Sequence, residues 1–424
     1  MHDPETVVRQ TATDFDRHRD LPAQADVVVI GGGVTGTAAA YQLSKRGKQV
    51  VLLEMRGICS GASGRNAGQT GSGSSMYSRV GRAVYGITRE NLRLISEELP
   101  EELGDDFDLK LTGNVDIAQD EEMWEHLVQS TRALEGEDSG VRMLDRYELQ
   151  QLIPAASDHL LGAKYAEKAG HHWPFSLVNG QAEGARRLGA HIHTWTPATA
   201  ILTANGNVTG VATARGTIST DTVVVATNAW TPQLLGDLPE GALVPARGQI
   251  LVTQPVGEVL PHAFGTNFDK EYGRQTATGQ LLCGGFRRFD KDEGLGLYTE
   301  EVSAASMIGC ANCLTTLFPK VGPLRIVRAW AGIMGFTADG LPMIGPYGLA
   351  NGIYVSAGFN GGGFSWGPAT GKIMAQMIVD GETEFDLAPF DPNRFATGGV
   401  SWDNPFTAGE KNNPRSVAEI QASA

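Results

Sequence analysis

The 424-residue chain has only four cysteines, Cys59, Cys283, Cys310 and Cys313, too few and too unevenly spaced for a disulfide framework. Cys310-Ala-Asn-Cys313 has the spacing of a redox or zinc pair, yet no second Cys/His pair completes a metal site. Its surroundings, "EEVSAASMIGCANCLTTLFPKV", read as one helix ending near a proline, so both thiols are expected as small core residues one turn apart. No stretch approaches the roughly 18 apolar residues that span a bilayer. The first 25 residues are charged throughout and hold no signal-peptide core. Basic residues are in deficit: 34 Lys and Arg against 48 Asp and Glu give a net charge of −14, which argues against nucleic acid or an anionic membrane as partner. An acidic cytoplasmic protein follows.

Glycine is abundant, at 54 residues, and marks places where backbone must approach something closely. The length exceeds what one core usually serves, so two domains are expected. The clearest segment runs from Ala25 to Met55, "ADVVVIGGGVTGTAAAYQLSKRGKQVVLLEM". Val27 to Ile30 has the unbroken apolar character of a buried parallel strand, Thr35 to Arg46 has helical spacing, and Val50 to Leu53 is a second strand. Gly31, Gly33 and Gly36 supply G-x-G-x-x-G in this βαβ unit: a tight turn, an approach to pyrophosphate, and close helix–strand packing. The helix N-terminus favours phosphate, and Glu54, ending the second strand, can accept hydrogen bonds from both ribose hydroxyls. That geometry holds an ADP moiety and leaves NAD and FAD open.

A polar, glycine-rich stretch, "ICSGASGRNAGQTGSG", follows at once. "YGITRENLRLISEELPEELG" and "QDEEMWEHLVQSTRALEG" are amphipathic helical stretches that cover the sheet or belong to a second lobe. His191 to Trp230 gives short strands with an Asn-Gly turn at 205 and 206 and a return strand, Val223 to Thr227. "ARGQILVTQPV" and "TGQLLCGGFRR" are strands of a substrate domain, and glycines crowd back after Trp330. The tail from Thr397 reads as loose or as an irregular arm. Nucleotide-domain segments thus recur three times, which points to an extended cofactor such as FAD. The predicted fold is α/β, α+β overall: a Rossmann-type FAD-binding domain from 25–84, 154–235 and 325–385, a mixed-sheet substrate domain from 85–153 and 236–324, and terminal arms 1–24 and 386–424.

Four stretches in order, "VVVIGGGVTG…VVLLE", "GASGRNAGQ", "VVVATNAW" and "WAG…T.DGLPMIG" with "GFNGGGF", resemble the FAD-dependent oxidoreductases of the D-amino-acid oxidase, glycine oxidase and sarcosine oxidase superfamily. Within it, Ser63 to Gln69 looks most like gamma-glutamylputrescine oxidases and related amine oxidases. The resemblance implies that the loop after Glu54 runs along the pyrophosphate and ribityl chain to the flavin ring. Ser60 and Ser63 would bond the phosphates, Gly61 and Gly64 would let the backbone close in, and Arg65 would place positive charge near the phosphate or the ring edge, with Asn66, Ala67, Gly68 and Gln69 continuing along it. Val34, Thr35, Met55, Ala198, Ala226, Thr227 and Trp230 are implied at the cofactor, as are Gly332, Gly358 and Asn360. Gly361, Gly362, Gly363 and Phe364, leading into a helix from Pro368 to Ile378, would face flavin N1/O2 and stabilise the negative charge of the reduced ring.

The pattern is broken at the positions where relatives hold a carboxylate. Met334 stands where glycine oxidases have an arginine, and Ser365 where monomeric sarcosine oxidases have a lysine. Gly332 replaces the cysteine that tethers their flavin, so the FAD is expected to be non-covalent, and Gly362 replaces the histidine of many relatives, so that imidazole's contribution at the flavin is missing. Other cations remain for a carboxylate: Arg274, Arg287, Arg288, Arg65, His171 and His172. Tyr272, His172, Trp173, Trp330 and Met334 are candidates for the pocket wall. The resulting expectation is an amine or amino-acid oxidase that transfers hydride to flavin, releases an imine for hydrolysis, and reduces dioxygen to hydrogen peroxide. The substrate would be an N-substituted glycine, an iminodiacetate-like diacid or a gamma-glutamyl polyamine. The alternatives are a dehydrogenase delivering electrons to a quinone or carrier protein, and a flavin-binding subunit without turnover.

Overall fold

The computed structural model describes residues 13–16, 18–71, 80–267, 270–396 and 400–407. Ser72 and Gly73 of the glycine-rich stretch, and residues 1–12, 397–399 and 408–424 of the expected arms, lie outside these described residues.

Val27–Ile30 (β1) has four apolar side chains and no polar face, so it must be covered on both sides, and all four residues are buried. It pairs in parallel with Val50–Leu53 (β2) on one edge and with Val223–Val225 on the other. The full sheet runs Met343–Pro346, Ile353–Ala357, Val223–Val225, β1, β2, His191–His193. All neighbours are parallel except the edge strand Met343–Pro346. Between β1 and β2 lies Val34–Lys45 (α1), buried around nearly its whole circumference. The helices Pro174–Arg187 and Gly367–Val379 pack on it. At the second crossing a Cβ on Gly371 would stand 2.5 Å from Ala38, so the close approach of these two helices requires glycine.

Arg82–Arg93 and Leu99–Leu103 form helices, as their amphipathic spacing predicts. Their apolar residues Val84, Ile87 and Leu99 pack in the same core as Val27, Val29 and Leu52. The stretch from 85 to about 103 therefore serves the nucleotide-binding half, where the sequence reading gave 85–153 to the substrate domain.

The second sheet has eight strands in the order Ile326–Thr337, Leu243–Pro255, Gln280–Gly284, Glu271–Gln275, Ala263–Thr266, Asn114–Ala118, Gly162–Ala166, Val141–Asp145. Gly162–Ala166 and Ile326–Thr337 thus belong here, although 154–235 and 325–385 were expected with the nucleotide-binding sheet. A strand's local pattern shows that it is buried, and only the tertiary pairing shows in which sheet. One face of this sheet, carrying Val115, Leu251, Phe264, Leu281 and Cys283, packs on the helix Ala304–Leu317 through Cys310, Cys313, Leu314 and Leu317. All four cysteines are buried and unpaired, and the Cys-x-x-Cys pair is core.

The other face turns toward the nucleotide-binding half. Register places Trp330 beside Ile250, Ile250 beside Gly284, and Gly284 beside Tyr272. Gly332 and Gly248 form the next row. A Cβ on Gly284 would come within 2.7 Å of the Tyr272 ring and 2.8 Å of Ile250, so glycine makes room for large side chains to cross this face.

Candidate cofactor and substrate site

The glycine turn has little room for any other residue. Gly31 has φ of +112°, and a Cβ there would lie 2.5 Å from the Ala226 carbonyl oxygen. A Cβ on Gly36 would lie 1.9 Å from the Gly31 carbonyl oxygen, and one on Gly33 would stand 3.0 Å from Ser63 Oγ. These contacts make the tight turn, the bare approach and the close helix packing that the motif needs. At the helix start, Val34 N donates to Ser63 Oγ at 3.0 Å, while the first-turn amides around Thr35 have no intrahelical partner by construction. Glu54 is 9 % exposed and accepts from Gly32 N and Arg56 N, each at 2.8 Å. Burial raises its pKa, opposed by these two amides and the Arg56 charge. Two amides leave carboxylate lone pairs for a ribose diol.

The stretch after Glu54 folds back over the turn and then crosses to the other sheet. Cys59 N donates to Gly32 O at 2.9 Å. Asn66 closes the loop on itself, donating to Ala62 O and Ser63 O at 2.8 Å while accepting from Gly68 N. Gly68, with φ of +70°, sits so close to His172 O that a Cβ would be 2.2 Å away. Gln69 pairs with His171, and its side-chain amide donates to Gly273 O at 2.9 Å. Gly71 N then donates to Ser365 Oγ at 3.1 Å, joining the C-terminal glycine loop. This loop therefore ties together the dinucleotide turn, the glycine-rich sheet face and the loop at 361–365.

Arg65 was expected to lend charge to a phosphate or ring edge. Its guanidinium instead donates to Ser60 O at 3.0 Å and Ala331 O at 2.8 Å and pairs with Glu300 at 2.9 Å, while Trp330 Nε1 donates to Arg65 O. A Cβ on Gly332 would be 2.7 Å from the Arg65 side chain. Glycine at 332 thus admits this arginine.

At the C-terminal loop, Gly358 and Gly361 have φ of +74° and +92°, and Asn360 has φ of +51°. Asn360 points to protein: its Oδ1 accepts from Thr337 N at 3.0 Å and Asn404 Nδ2 at 2.8 Å, and its Nδ2 donates to Gly358 O at 2.7 Å. Asn228 Oδ1 accepts from Gly358 N at 3.0 Å, placing the Ala226–Asn228 bend beside the same loop. Phe364 packs edge-on against His172, 4.6 Å between centroids, and its carbonyl accepts from Asn91 Nδ2 at 2.9 Å. Glu300, Asn404 and Asn91 carry no motif, and Asn228 lies in "VVVATNAW" without having been singled out, so the sequence reading missed their roles.

The other candidates fall at different distances from this centre. Ala198 begins the first strand of a separate three-stranded sheet, reached from Glu54 through Thr196 N, which donates to Glu54 O at 2.9 Å. Met55 follows Glu54 half-buried, and Trp230 packs on Tyr298 at 5.6 Å. Trp173 lies 5.8 Å from Phe175. Met334 reaches across Gly248, whose Cβ would be 2.8 Å from Met334 Cε, and its sulfur would be 3.6 Å from a Cβ on Gly361. Arg287 lies over the Phe336 ring and donates to Phe406 O, and Arg288 pairs with buried Glu271 between two phenylalanine rings. Both arginines are thus engaged by the protein itself, with Arg288 Nε left unbonded.

A Rossmann turn joined by one loop to a glycine-floored sheet defines a flavoprotein with a cofactor stretched between two sheets. The chain belongs to the DAO family, FAD dependent oxidoreductase, which it matches over residues 26–377. It is 29 % identical over 374 residues to the glycine oxidase of Geobacillus kaustophilus, covering 87 % of this chain and 97 % of that one. It is 27 % identical over 405 residues to the gamma-glutamylputrescine oxidoreductase of Escherichia coli, covering 90 % of each. Among solved structures, L-proline dehydrogenase from P. horikoshii superposes with a TM-score of 0.80 at 26 % identity, covering 90 % of this chain and all of that one. The protein is an FAD-dependent oxidoreductase of the amine and amino-acid class, and no helix among the described residues is long and apolar enough to cross a membrane. The residues present fit FAD. The turn admits no Cβ where a pyrophosphate passes, Glu54 keeps acceptor capacity, and Gly361 to Gly363 leave the backbone bare before a 13-residue helix.

Proposed function

We propose that the protein is an oxidase that cleaves the C–N bond of a primary or secondary amine, releasing a carbonyl compound and an amine or ammonia. The observation carrying this reading is the sheet face on which Tyr272, Ile250 and Trp330 line up over glycines, facing the loop 65–71. Such a wall seats an amine and keeps water away from it. Bound FAD supplies the two-electron acceptor that turns the amine into an imine, with dioxygen reduced to hydrogen peroxide as the electrons leave. Water then adds to the imine carbon. The protein's own part is positioning and charge stabilisation. Gly361 and Gly363, ahead of the helix Gly367–Val379, would present amides and the positive end of a helix dipole to developing negative charge, while Gly362 N is held by Phe359 O at 2.8 Å. Gly31, Gly33, the first turn of α1, Glu54 and Ser63 would hold the nucleotide part. The four unpaired cysteines and the acidic composition support a cytoplasmic location.

A second reading, a dehydrogenase that hands electrons to a quinone or carrier protein, has the likeness to an L-proline dehydrogenase in its favour. One experiment separates the two. The purified protein is mixed anaerobically with a panel of amines and then exposed to air. Bleaching of the flavin band followed by recovery with stoichiometric peroxide is the expected result. Recovery with a quinone dye but not with air would replace oxidase by dehydrogenase, and a flavin that no amine bleaches would remove the catalytic reading.

A further inference from the structure

The helix Gly367–Val379 has no cap of its own. Trp366, which precedes it, provides no side-chain hydrogen bond, and Pro368 in the first turn carries no N–H. An acceptor comes from another helix instead. Asn91, in the last turn of Arg82–Arg93, accepts the Ala369 N–H on Oδ1 at 3.3 Å, and its Nδ2 donates to Phe364 O at 2.9 Å. Asn91 is fully buried, where an amide is tolerated only with both ends bonded. One side chain therefore fixes a point on each side of the bend that turns the glycine loop into the helix.

Packing does not fix the glycines that lead into this bend. At Gly31 and Gly36 a Cβ would clash, whereas at Gly361, Gly362 and Gly363 the nearest atom would stand 3.5 Å or more away. With room around it and no side chains to anchor it, this backbone keeps its course through hydrogen bonds. Gly362 N donates to Phe359 O at 2.8 Å and Ser365 N to Gly362 O at 2.9 Å, both inside the loop. From outside, Gly71 N donates to Ser365 Oγ at 3.1 Å and Thr70 Oγ1 to Phe364 O at 3.4 Å, the latter longer than the Asn91 bond to the same carbonyl. The two helices also share an ion pair, Glu90 with Lys372 at 2.8 Å, one turn beyond Ala369.

We propose that Asn91 is a positioning residue of the flavin site. By fixing Phe364 O and the first turn of the helix, it holds the Gly361 and Gly363 amides and the helix end where negative charge develops on the reduced ring. This rests on the charge-stabilising role given to that loop above and not on the identity of the substrate. Loss of the two bonds leaves a carbonyl and an N–H buried and poorly satisfied, and the loop shifts to satisfy them. The reduced ring, which carries the charge, then loses more stabilisation than the oxidised one, so the reduction potential falls.

The test is the two-electron midpoint potential of bound FAD, measured against a reference dye without any amine. Asn91→Leu, close in shape but unable to make either bond, is expected to lower it by about 30 mV, a tenfold loss in the ratio of reduced to oxidised protein. Asn91→Asp keeps the acceptor for Ala369 N–H, offers no proton to Phe364 O and adds a negative charge, so its potential is expected to fall at least as far. It also keeps the proposal decidable if the leucine variant does not hold FAD. Glu90→Gln breaks the ion pair between the same two helices and leaves both Asn91 bonds, and its ratio is expected to stay within about twofold of the unaltered protein. An unchanged potential in either Asn91 variant would overturn the proposal. So would an equal fall in Glu90→Gln, because helix packing and not the Asn91 side chain would then set the potential. If the unaltered protein has the potential of free FAD, the charge-stabilising role falls and takes Asn91 with it. If that potential is higher and the Asn91 variants keep it, the role of Asn91 alone falls.

Discussion

Arg65 Nη2 lies 2.9 Å from Glu300 Oε2, an ion pair that joins the loop following the dinucleotide turn to a segment 235 residues further along the chain. Glu300 Oε1 meets Arg56 Nη1 at the same distance, so one carboxylate clamps both ends of that loop. The side chains are just over a quarter exposed, and water screens the attraction without cancelling it.

Glu300→Gln removes both ion pairs and leaves two partly buried guanidinium groups without an acid. The loop then holds its shape less firmly, and FAD binding, which needs that shape, weakens. We expect the FAD dissociation constant to rise by about tenfold, equivalent to about 1.4 kcal/mol, within the range for hydrogen bonds to charged groups. Fluorescence of released FAD measures it. An unchanged constant would show that the loop is held by Asn66 and Gln69 alone.

Asn404→Ala strips the C-terminal loop of its outer brace. Asn404 is 5 % exposed and donates to Thr337 O at 2.6 Å and Asn360 Oδ1 at 2.8 Å. Leaving those acceptors buried and less satisfied costs about 1–3 kcal/mol. In urea unfolding, Asn360→Ala in the same chain should add less than its separate effect, because the two side chains share a bond. Strict additivity would mean that the contact does not contribute.

His172 makes stability depend on acid. Its pKa falls from 6.5 to about 3 because burial, and then Arg274 and His171, penalise the charged ring. The folded state refuses a proton that the unfolded chain accepts below pH 6.5, so this stability is present above that pH and is lost as pH falls toward 3. At pH 5 the loss is about 2 kcal/mol. Between about pH 7.5 and 5, His172→Gln should therefore lose less stability than the unaltered protein, as chemical denaturation at the two pH values would show. Equal losses would place the acid sensitivity elsewhere.

Much of the fold was legible because it rests on local rules. Val27 to Ile30 cannot face water, Gly36 cannot be anything larger beside Gly31, and Glu54 ends the strand where a ribose would lie. The helix bearing Cys310 and Cys313 was equally clear, since spacing alone marks a buried side. Less legible was the membership of strands. Gly162–Ala166 reads the same whichever sheet it joins, and register with Asn114–Ala118 is a long-range outcome.

The order of apolar runs and bare glycines, with the acid after β2, determined a dinucleotide turn, and the later glycine stretches in their order pointed from there to FAD. The turn depends on spacing along a single stretch of chain, where steric exclusion acts within a few residues. Partner choice was decided only in three dimensions. Arg65, expected near the phosphate or the ring edge, is held as a brace by Glu300 and the Ala331 carbonyl. Arg287 and Arg288 looked equivalent to Arg274 and were taken by Phe406 O and Glu271, while Arg274 was buried among carbonyls. The charge on an arginine is written in its sequence; whether an acid of the same chain neutralises it depends on packing between residues hundreds of positions apart.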